Sequence, residues 1–479
     1  MSDPDVIVVG CGPVGAMTAL RASQHGLSVT VIDASTEIYP LPRAIGLDAE
    51  GQRLFHTAGL GDELAACSSS MGGAEFLNAD GERVVGFDLP DGFRTPLGHT
   101  PMVSFEQPRL EEALRSRAEA AGARLRLGVE ATGLASGDDG VRLETTAGQM
   151  SARWLVGADG ARSWVRATLD IALEDQGFDQ PWLVVDTWNV DPDLELPRMA
   201  QQHCNPDRVV TTVPGHEKRR RWEFQLAEHE DREEMLKPER IAELLAPWGT
   251  PEQLRIDRAA VYRFHGLVAA DFRRGPVFLA GDSAHQMPPF QGQGMNSGLR
   301  DADNLAWKLA MVHRDAAGEA LLDTYRVERK PHAEAIVEHS CDTGRLIDAI
   351  AAGIDLSTDA GYGGGRPFPH LEHGFLLAGH PAVGKPMPQP DIEGTPLDRL
   401  MGDGFALVAA EPFDVPSEAA WLDPQVVVAP ADAFPHDLIG NGRVVIVRPD
   451  RYVAAVADDL AAAGARLAEM AGAQSLPGG

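Results

Sequence analysis

The chain opens on a strand, a glycine turn, a helix and a second strand that ends in an acid: DVIVVGCGPVGAMTALRASQHGLSVTVIDAS. No other stretch constrains the fold as tightly. Val6–Val9 is a continuous β-branched run, the pattern of a strand buried on both faces. Gly10, Gly12 and Gly15 supply G-x-G-x-x-G. Gly10 permits the turn, Gly12 leaves room for a pyrophosphate, and Gly15 lets the helix pack close to the strand. Pro13 belongs to the same cofactor-binding turn, and free N–H groups at the helix start face the phosphates. Asp33 closes the second strand, where a carboxylate accepts hydrogen bonds from ribose hydroxyls and repels a 2′-phosphate. A lone glycine motif is weak evidence, but here every part stands at its expected offset. A Rossmann-type α/β unit follows, with FAD or NAD as its ligand.

Two later segments favour FAD. VGADGARSWVR places Asp159 in a glycine-flanked turn after a strand, and VFLAGDSAH places Asp282 at another strand end. Two such acids suit a long ligand with several hydroxyls, such as a ribityl chain. No second G-x-G-x-x-G follows a strand, and GYGGG at Gly361–Gly365 reads as a flexible connector. The segment GDSAHQMPPFQGQGMNSGLRDADNLAWKL continues through a Gly/Pro-rich loop into a helix starting near Met295 and Asn296. Gly292 and Gly294 lie in that loop and carry no Cβ to bar the close approach of another group. Leu299, Leu305, Leu309 and Val312 lie near one helical face, so this helix also packs a core.

At 479 residues the chain is long enough for two or three domains. Its net charge of −29 argues against nucleic acid and anionic membranes, which need clustered cations. The basic run Lys218–Arg221 is flanked by acids and reads as a solvated strand end. Cys11, Cys67, Cys204 and Cys341 are far apart, with neither CxxC nor zinc spacing. They fit a reducing compartment, and a cytoplasmic location is expected. No basic segment precedes the first apolar run, which the glycine turn interrupts, so no signal peptide is expected. No apolar stretch approaches the ~20 residues a membrane span needs.

GCGPVG with Asp33, the DG pair Asp159–Gly160, and GDSAH followed by PPFQGQGMNSGLRDADNLAWKL resemble the single-component FAD-dependent aromatic hydroxylases of the p-hydroxybenzoate hydroxylase fold. The motifs occur in the family's order, and the resemblance covers essentially the whole chain. MPPFQGQGMNSGLRDA and the tail look closest to 3-(3-hydroxyphenyl)propionate hydroxylases. The resemblance implies an α/β protein: a Rossmann-type FAD-binding domain with an inserted β-sheet substrate domain and a thioredoxin-like C-terminal domain. Residues 1–75, 105–171 and 273–354 would form the FAD-binding domain. Residues 76–104 and 172–272 would form the substrate domain, 355–397 a connector, and 398–479 the C-terminal domain, which lacks redox cysteines.

The resemblance also assigns roles. FAD is bound non-covalently and NAD(P)H is a transient co-substrate. Asp282 accepts from the ribityl chain, the loop from Pro288 to Gly294 passes the isoalloxazine, and the helix start at Met295 and Asn296 faces its N1/O2 edge. Reduced flavin carries negative charge there, which a helix N-terminus favours by ~0.3–2 kcal/mol. Pro289 offers a backbone carbonyl to the reacting groups, the one catalytic contribution assigned. Arg43 lies near the flavin or pyrophosphate. Gln107, favoured over Arg109, reaches FAD from a helix start. His285 is structural. The implied chemistry is oxygen transfer from a C4a-hydroperoxyflavin to a ring carbon ortho to a phenolate, and the deprotonating base is unidentified. Substrate contacts are sought at Trp188, Gln202, His203, Gln225 and Tyr262, with Tyr262, Gln225 and Trp188 foremost. A monocyclic phenol with an acidic side chain is expected, and Arg198, Arg208 or Arg263 would pair with its carboxylate. Polyketide hydroxylation, epoxidation and Baeyer–Villiger oxidation are the alternatives on the same fold. An NAD dehydrogenase or a flavin-binding sensor would be the rivals outside it. The partners expected are the aromatic substrate and O2, with a homodimer compatible.

Overall fold

The computed structural model describes residues 3–137, 139–354, 368–435, 438–440 and 442–473. It is a mixed α/β protein. The Gly361–Gly365 run and the first part of the expected connector lie outside the described residues.

The opening motif builds the centre of a six-stranded sheet. Its order is Arg273–Arg274, Val277–Leu279, Trp154–Gly157, Val6–Val9, Val29–Asp33, Arg124–Leu127. All neighbours pair in parallel except the two-residue first strand. Val6, Ile7 and Val8 are fully buried, as their uninterrupted apolar run requires. The helices Pro13–Gln24 and Gln293–His313 pack together beside this sheet, bringing the first glycine turn next to the second. The second helix begins at Gln293, with Gly292 as its cap.

An eight-stranded sheet stands over that layer. Its order is His285–Gln286, Leu254–Ala269, Leu173–Asn189, Arg219–Gln225, Val209–Pro214, Ala200–Cys204, Gly73–Leu77, Arg83–Asp88. Its two faces differ. Leu183, Val185, Trp222 and Phe224 pack outward against the helix Pro238–Leu245 in a small separate core. The opposite face carries Asp186, Arg221, Glu223, Thr211 and Gln202, set side by side by the strand register. Here the solvated reading of Lys218–Arg221 is corrected. Lys218 is exposed just before the strand, but Arg220 and Arg221 are buried, because the strand that the run opens is an interior one of the sheet.

Residues 406–457 form a four-stranded sheet in the order Gln425–Val428, Ala406–Ala409, Val444–Val447, Val453–Ala457, with Leu460–Ala471 as the last helix. Phe405, Leu407 and Ile446 join the main core, while Ala406, Val408 and Val445 face a second one. Ion pairs seal the join. Lys308 and Arg448 both reach Glu328, at 2.8 and 2.9 Å, and Arg53 reaches Asp398 at 2.6 Å. Among the described residues no helix is long and apolar enough to cross a membrane.

Candidate functional site

A single cavity of about 1680 Å³ runs from the glycine turn to the polar face of the large sheet. At one end it is lined by Gly10, Gly12, Pro13 and Asp33, in the middle by Asp282, Pro289, Gly292, Gly294 and Met295, and at the other end by Gln202, Thr211, Arg221 and Glu223.

The turn is built by close approach. Gly10 has φ +101°, and a Cβ there would lie 2.4 Å from the Ala158 carbonyl oxygen. A Cβ on Gly15 would lie 1.9 Å from the Gly10 carbonyl oxygen, so helix and turn are in direct contact. At Gly12 a Cβ would meet nothing within 4 Å, because the position opens on the cavity. The helix that follows has no side-chain cap among the described residues, which leaves its first N–H groups for a ligand. Asp33 lines the cavity while its carboxylate accepts from Cys11 N at 2.6 Å and Ser35 N at 2.8 Å.

The other acids sit differently. Asp159 accepts from Ser163 Oγ at 2.5 Å and Val165 N at 2.9 Å, fixing the next helix while bordering the cavity. Asp282 projects into the cavity. Desolvation by the surrounding walls raises its pKa above the ordinary carboxylate value, against the charges of His285 and Arg43. The loop after it closes through Gly292 N donating to the Pro289 carbonyl at 2.8 Å. Gly292 sits at φ +65° and starts a helix with no side-chain cap among the described residues. Burial would raise the Asp301 carboxyl, but the His285 and Arg329 charges overcome it and hold it at about 2. The fully buried His285 lies 2.7 Å from Asp301 and takes a structural place.

Gln107 lines the cavity and also braces its wall. Its Oε1 accepts from the backbone N–H groups of Arg43 and Ala44 at 2.9 and 2.8 Å, holding the loop that carries Arg43 to the cavity wall. The Arg43 guanidinium lies 4.9 Å from the Tyr39 ring centroid. Arg109 is half exposed beside Glu106. The Asn296 side chain turns away from the cavity. It donates to Gly46 O and Gly292 O and accepts from Asp48 N, tying the helix start to the strand Gly46–Asp48.

Of the substrate-facing candidates only Gln202 lines the cavity. Tyr262 is 39% exposed, with its hydroxyl against Arg258. Trp188 lies under Arg219, 5.0 Å from it. Gln225 shares the parity of Glu223 but lies further along the strand, where it donates to Gln180 and Asp348 at 3.1 Å. His203 points to the outer face against Trp248. Arg198, Arg208 and Arg263 pair with Asp91, Glu230 and Asp179 outside the cavity lining. In their place the sheet presents Thr211, Glu223 and Arg221. Strand alternation was the only sequence signal for them, and it depends on knowing which face is inward.

Residues 3–340 match the family described as FAD binding domain. The chain is 32% identical to a 3-(3-hydroxyphenyl)propionate/3-hydroxycinnamic acid hydroxylase of Burkholderia cenocepacia, over 96% of this chain and 95% of that one. It is 33% identical to a probable NADH-specific resorcinol 4-hydroxylase of Rhodococcus jostii, over 85% and 79%. Aklavinone-11 hydroxylase, solved with FAD and aklavinone, superposes with TM-score 0.82 at 26% identity, covering 98% of this chain and all of that one. The chain belongs to the FAD-dependent aromatic hydroxylases.

The hydroxylase's residues fit the cofactor its family implies. Gly12 leaves open space where the pyrophosphate would lie, two uncapped helix starts offer N–H donors, and Asp33 and Asp282 offer acceptors at separate points along one cavity. That donor and acceptor spacing suits an extended dinucleotide with a hydroxylated linker.

Proposed function

We propose that this hydroxylase inserts one oxygen atom of O2 into a phenolic ring, with NAD(P)H as reductant. The observation that carries the reading is the continuity of the cavity: the FAD-binding turn, the second glycine loop and a polar sheet face border one space. Bound FAD supplies hydride acceptance and oxygen activation. The chain does the rest. Gly12 and the helix start at Pro13 take the pyrophosphate, Asp33 the adenosine ribose, and Asp282 the ribityl hydroxyls. Gly292, Gly294 and Met295 bring backbone against the ring, and the uncapped helix start places partial positive charge at its edge. Pro289 and Phe290 border the space between that loop and the sheet, where a ring substrate would lie shielded from water.

The large sheet is the substrate-covering unit, inserted between segments of the FAD-binding domain. The C-terminal sheet is thioredoxin-like, a reading supported by its strand order and by parallel pairing of its first two strands alone. All four cysteines are free and buried, and none lies in that sheet, so its role is structural. The free thiols also support cytoplasmic operation. The relatives' names point to monocyclic phenols, one group of them with an acidic side chain. A polycyclic phenol is the second reading, supported by the cavity's size and by the aklavinone-bound neighbour.

The test is direct. Acid or heat should release a yellow compound with the mass of FAD. NAD(P)H oxidation should rise with a phenol and yield product one oxygen heavier. 3-(3-Hydroxyphenyl)propionate, resorcinol and a multi-ring phenol should be assayed together, with hydrogen peroxide measured separately. A colourless protein that cannot be reconstituted with FAD would refute the reading.

A further inference from the structure

The phenol must lose its proton for its ring to attack an electrophilic oxygen, and the sequence offers no obvious base. The roof of the cavity does. Glu223 lies on the cavity-facing side of the central strand Arg219–Gln225, opposite Thr211 on one neighbour and Val184 on the other. It is 4% exposed and lines the cavity. Among the described residues its carboxylate has no hydrogen-bond or ion-pair partner.

The charged groups around it are already engaged. Arg221 donates through Nε to Asp186 at 2.8 Å, through Nη1 to the Arg43 carbonyl at 2.6 Å, and through Nη2 to the Pro42 carbonyl at 2.7 Å. Arg258, on the strand beyond, donates to the same Pro42 carbonyl at 2.8 Å and to Asp186 at 3.4 Å. Thr211 donates to Gln202 at 2.6 Å. Glu75 borders the cavity from the outer strands and accepts from Gln201. Arg43 borders it from the opposite loop, and His339 and Asp342 from the helix Ala320–Ala351. Arg221 and Arg258 thus pair with Asp186 and brace the Arg43 loop, while Glu223 is left with a lone carboxylate lining the cavity. An unpaired buried carboxylate is costly to the fold, and such groups concentrate where chemistry needs them.

We propose that Glu223 is the general base that takes the proton from the substrate's phenolic hydroxyl. The step rests on the phenol-hydroxylase reading. The phenolic O–H bond breaks, its electron pair stays on oxygen, and the proton binds a Glu223 carboxylate oxygen. The phenolate passes electron density to its ortho carbon, which takes the electrophilic oxygen that O2 and NAD(P)H supply. The ring C–H bond breaks as aromaticity returns, its electron pair staying in the ring and its proton passing to solvent; Glu223 gives its proton back to the phenolate oxygen, and the second oxygen atom of O2 leaves as water. Arg221 is a positioning residue whose charge favours the carboxylate form. Desolvation lifts the Glu223 pKa to about 7, with Asp186 adding to it and Arg221 and Arg258 opposing. A base with that value is half deprotonated near neutrality.

The experiment uses the FAD-loaded wild-type, Glu223→Gln and Glu223→Asp enzymes with resorcinol and 3-(3-hydroxyphenyl)propionate as probes. Flavin content and phenol-free NAD(P)H oxidation report folding and cofactor loading. Ultraviolet difference spectra of the bound probe report its ionisation, and coupled product is measured across pH. The wild-type kcat/KM should rise with pH through about 7. Glu223→Gln should retain flavin, bind the probe as neutral phenol, lose roughly 100-fold or more in coupled product, and lose that acidic limb. Glu223→Asp should keep the limb at a reduced rate. A Glu223→Gln enzyme with an unchanged limb and undiminished product overturns the assignment alone. A wild-type enzyme with no phenol-dependent product overturns it together with the hydroxylase reading.

Discussion

Two acids bordering the same cavity face opposite demands. Asp282 projects at the ligand's mid-length, so Asp282→Ala should weaken FAD binding by roughly 1–3 kcal/mol, the range for removing one partner of an enclosed hydrogen bond. Titration of apoprotein with FAD gives the dissociation constant, and an unchanged value would place Asp282 off the cofactor. Glu223 has a second consequence, for stability. Its folded pKa, about 7, lies above its unfolded value near 4.5, chiefly through desolvation. The fold therefore binds that proton more tightly than the unfolded chain. It loses stability as pH rises from 4.5, and the loss is complete above 7. Glu223→Gln abolishes the loss, worth about 3 kcal/mol at alkaline pH. Thermal melts of holoenzyme without phenol should show the variant gaining on the wild type between pH 5 and 8. A gap constant with pH would mean that Glu223 ionises as an exposed carboxylate does.

The helix Gln293–His313 is the element on which the site turns. Its start lies at the cavity, and its second turn abuts Val14, next to the first glycine turn. A Cβ on Gly298 would stand 2.5 Å from Val14 Cγ2 and 2.9 Å from Gly281 Cα. Gly298→Ala should push the helix off both turns and weaken FAD binding, seen as flavin lost on gel filtration. Retention equal to wild type would show that the turns can yield. Further along, Lys308 is fully buried, and desolvation lowers its pKa to about 8 although Glu328 opposes this. Lys308, Arg448 and Asn304 all converge on Glu328. Glu328→Gln would leave two buried cations short of their counter-ion, at a cost of about 3–5 kcal/mol. Urea unfolding should report that loss. A variant as stable as wild type would mean that Asp450 suffices for the cluster.

At the scale of the molecule the cofactor layer and the C-terminal sheet share one core. Phe375, Phe405 and Leu407 belong to the same apolar cluster as Val6–Val9, and buried ion pairs cross the join. Calorimetry should therefore show one cooperative transition, and a separate low-temperature transition for residues 398–479 would contradict the shared core. The glycine-turn end of the cavity was legible in the sequence because its requirements are local. A phosphate turn needs glycines at fixed offsets from a strand and a helix start, so Gly10, Gly12, Gly15 and Asp33 could be named from one stretch. The Gly292 loop could be read in the same way. At Asn296 the sequence pointed to backbone N–H groups at the helix start, and the structure adds that the side chain ties that start to the strand Gly46–Asp48. The polar sheet wall of the cavity was not legible. Gln202, Thr211 and Glu223 come from three strands, and they share a wall only because the register sets them side by side. A shift of one residue would have turned each to the opposite face. The run KRRRWE reads as a solvated strand end until the sheet order places it centrally, where burial turns Arg221 into a brace and Glu223 into a carboxylate without a partner. Local backbone chemistry was thus written in the chain, while the identity of the cavity's sheet wall was decided by strand pairing between distant segments.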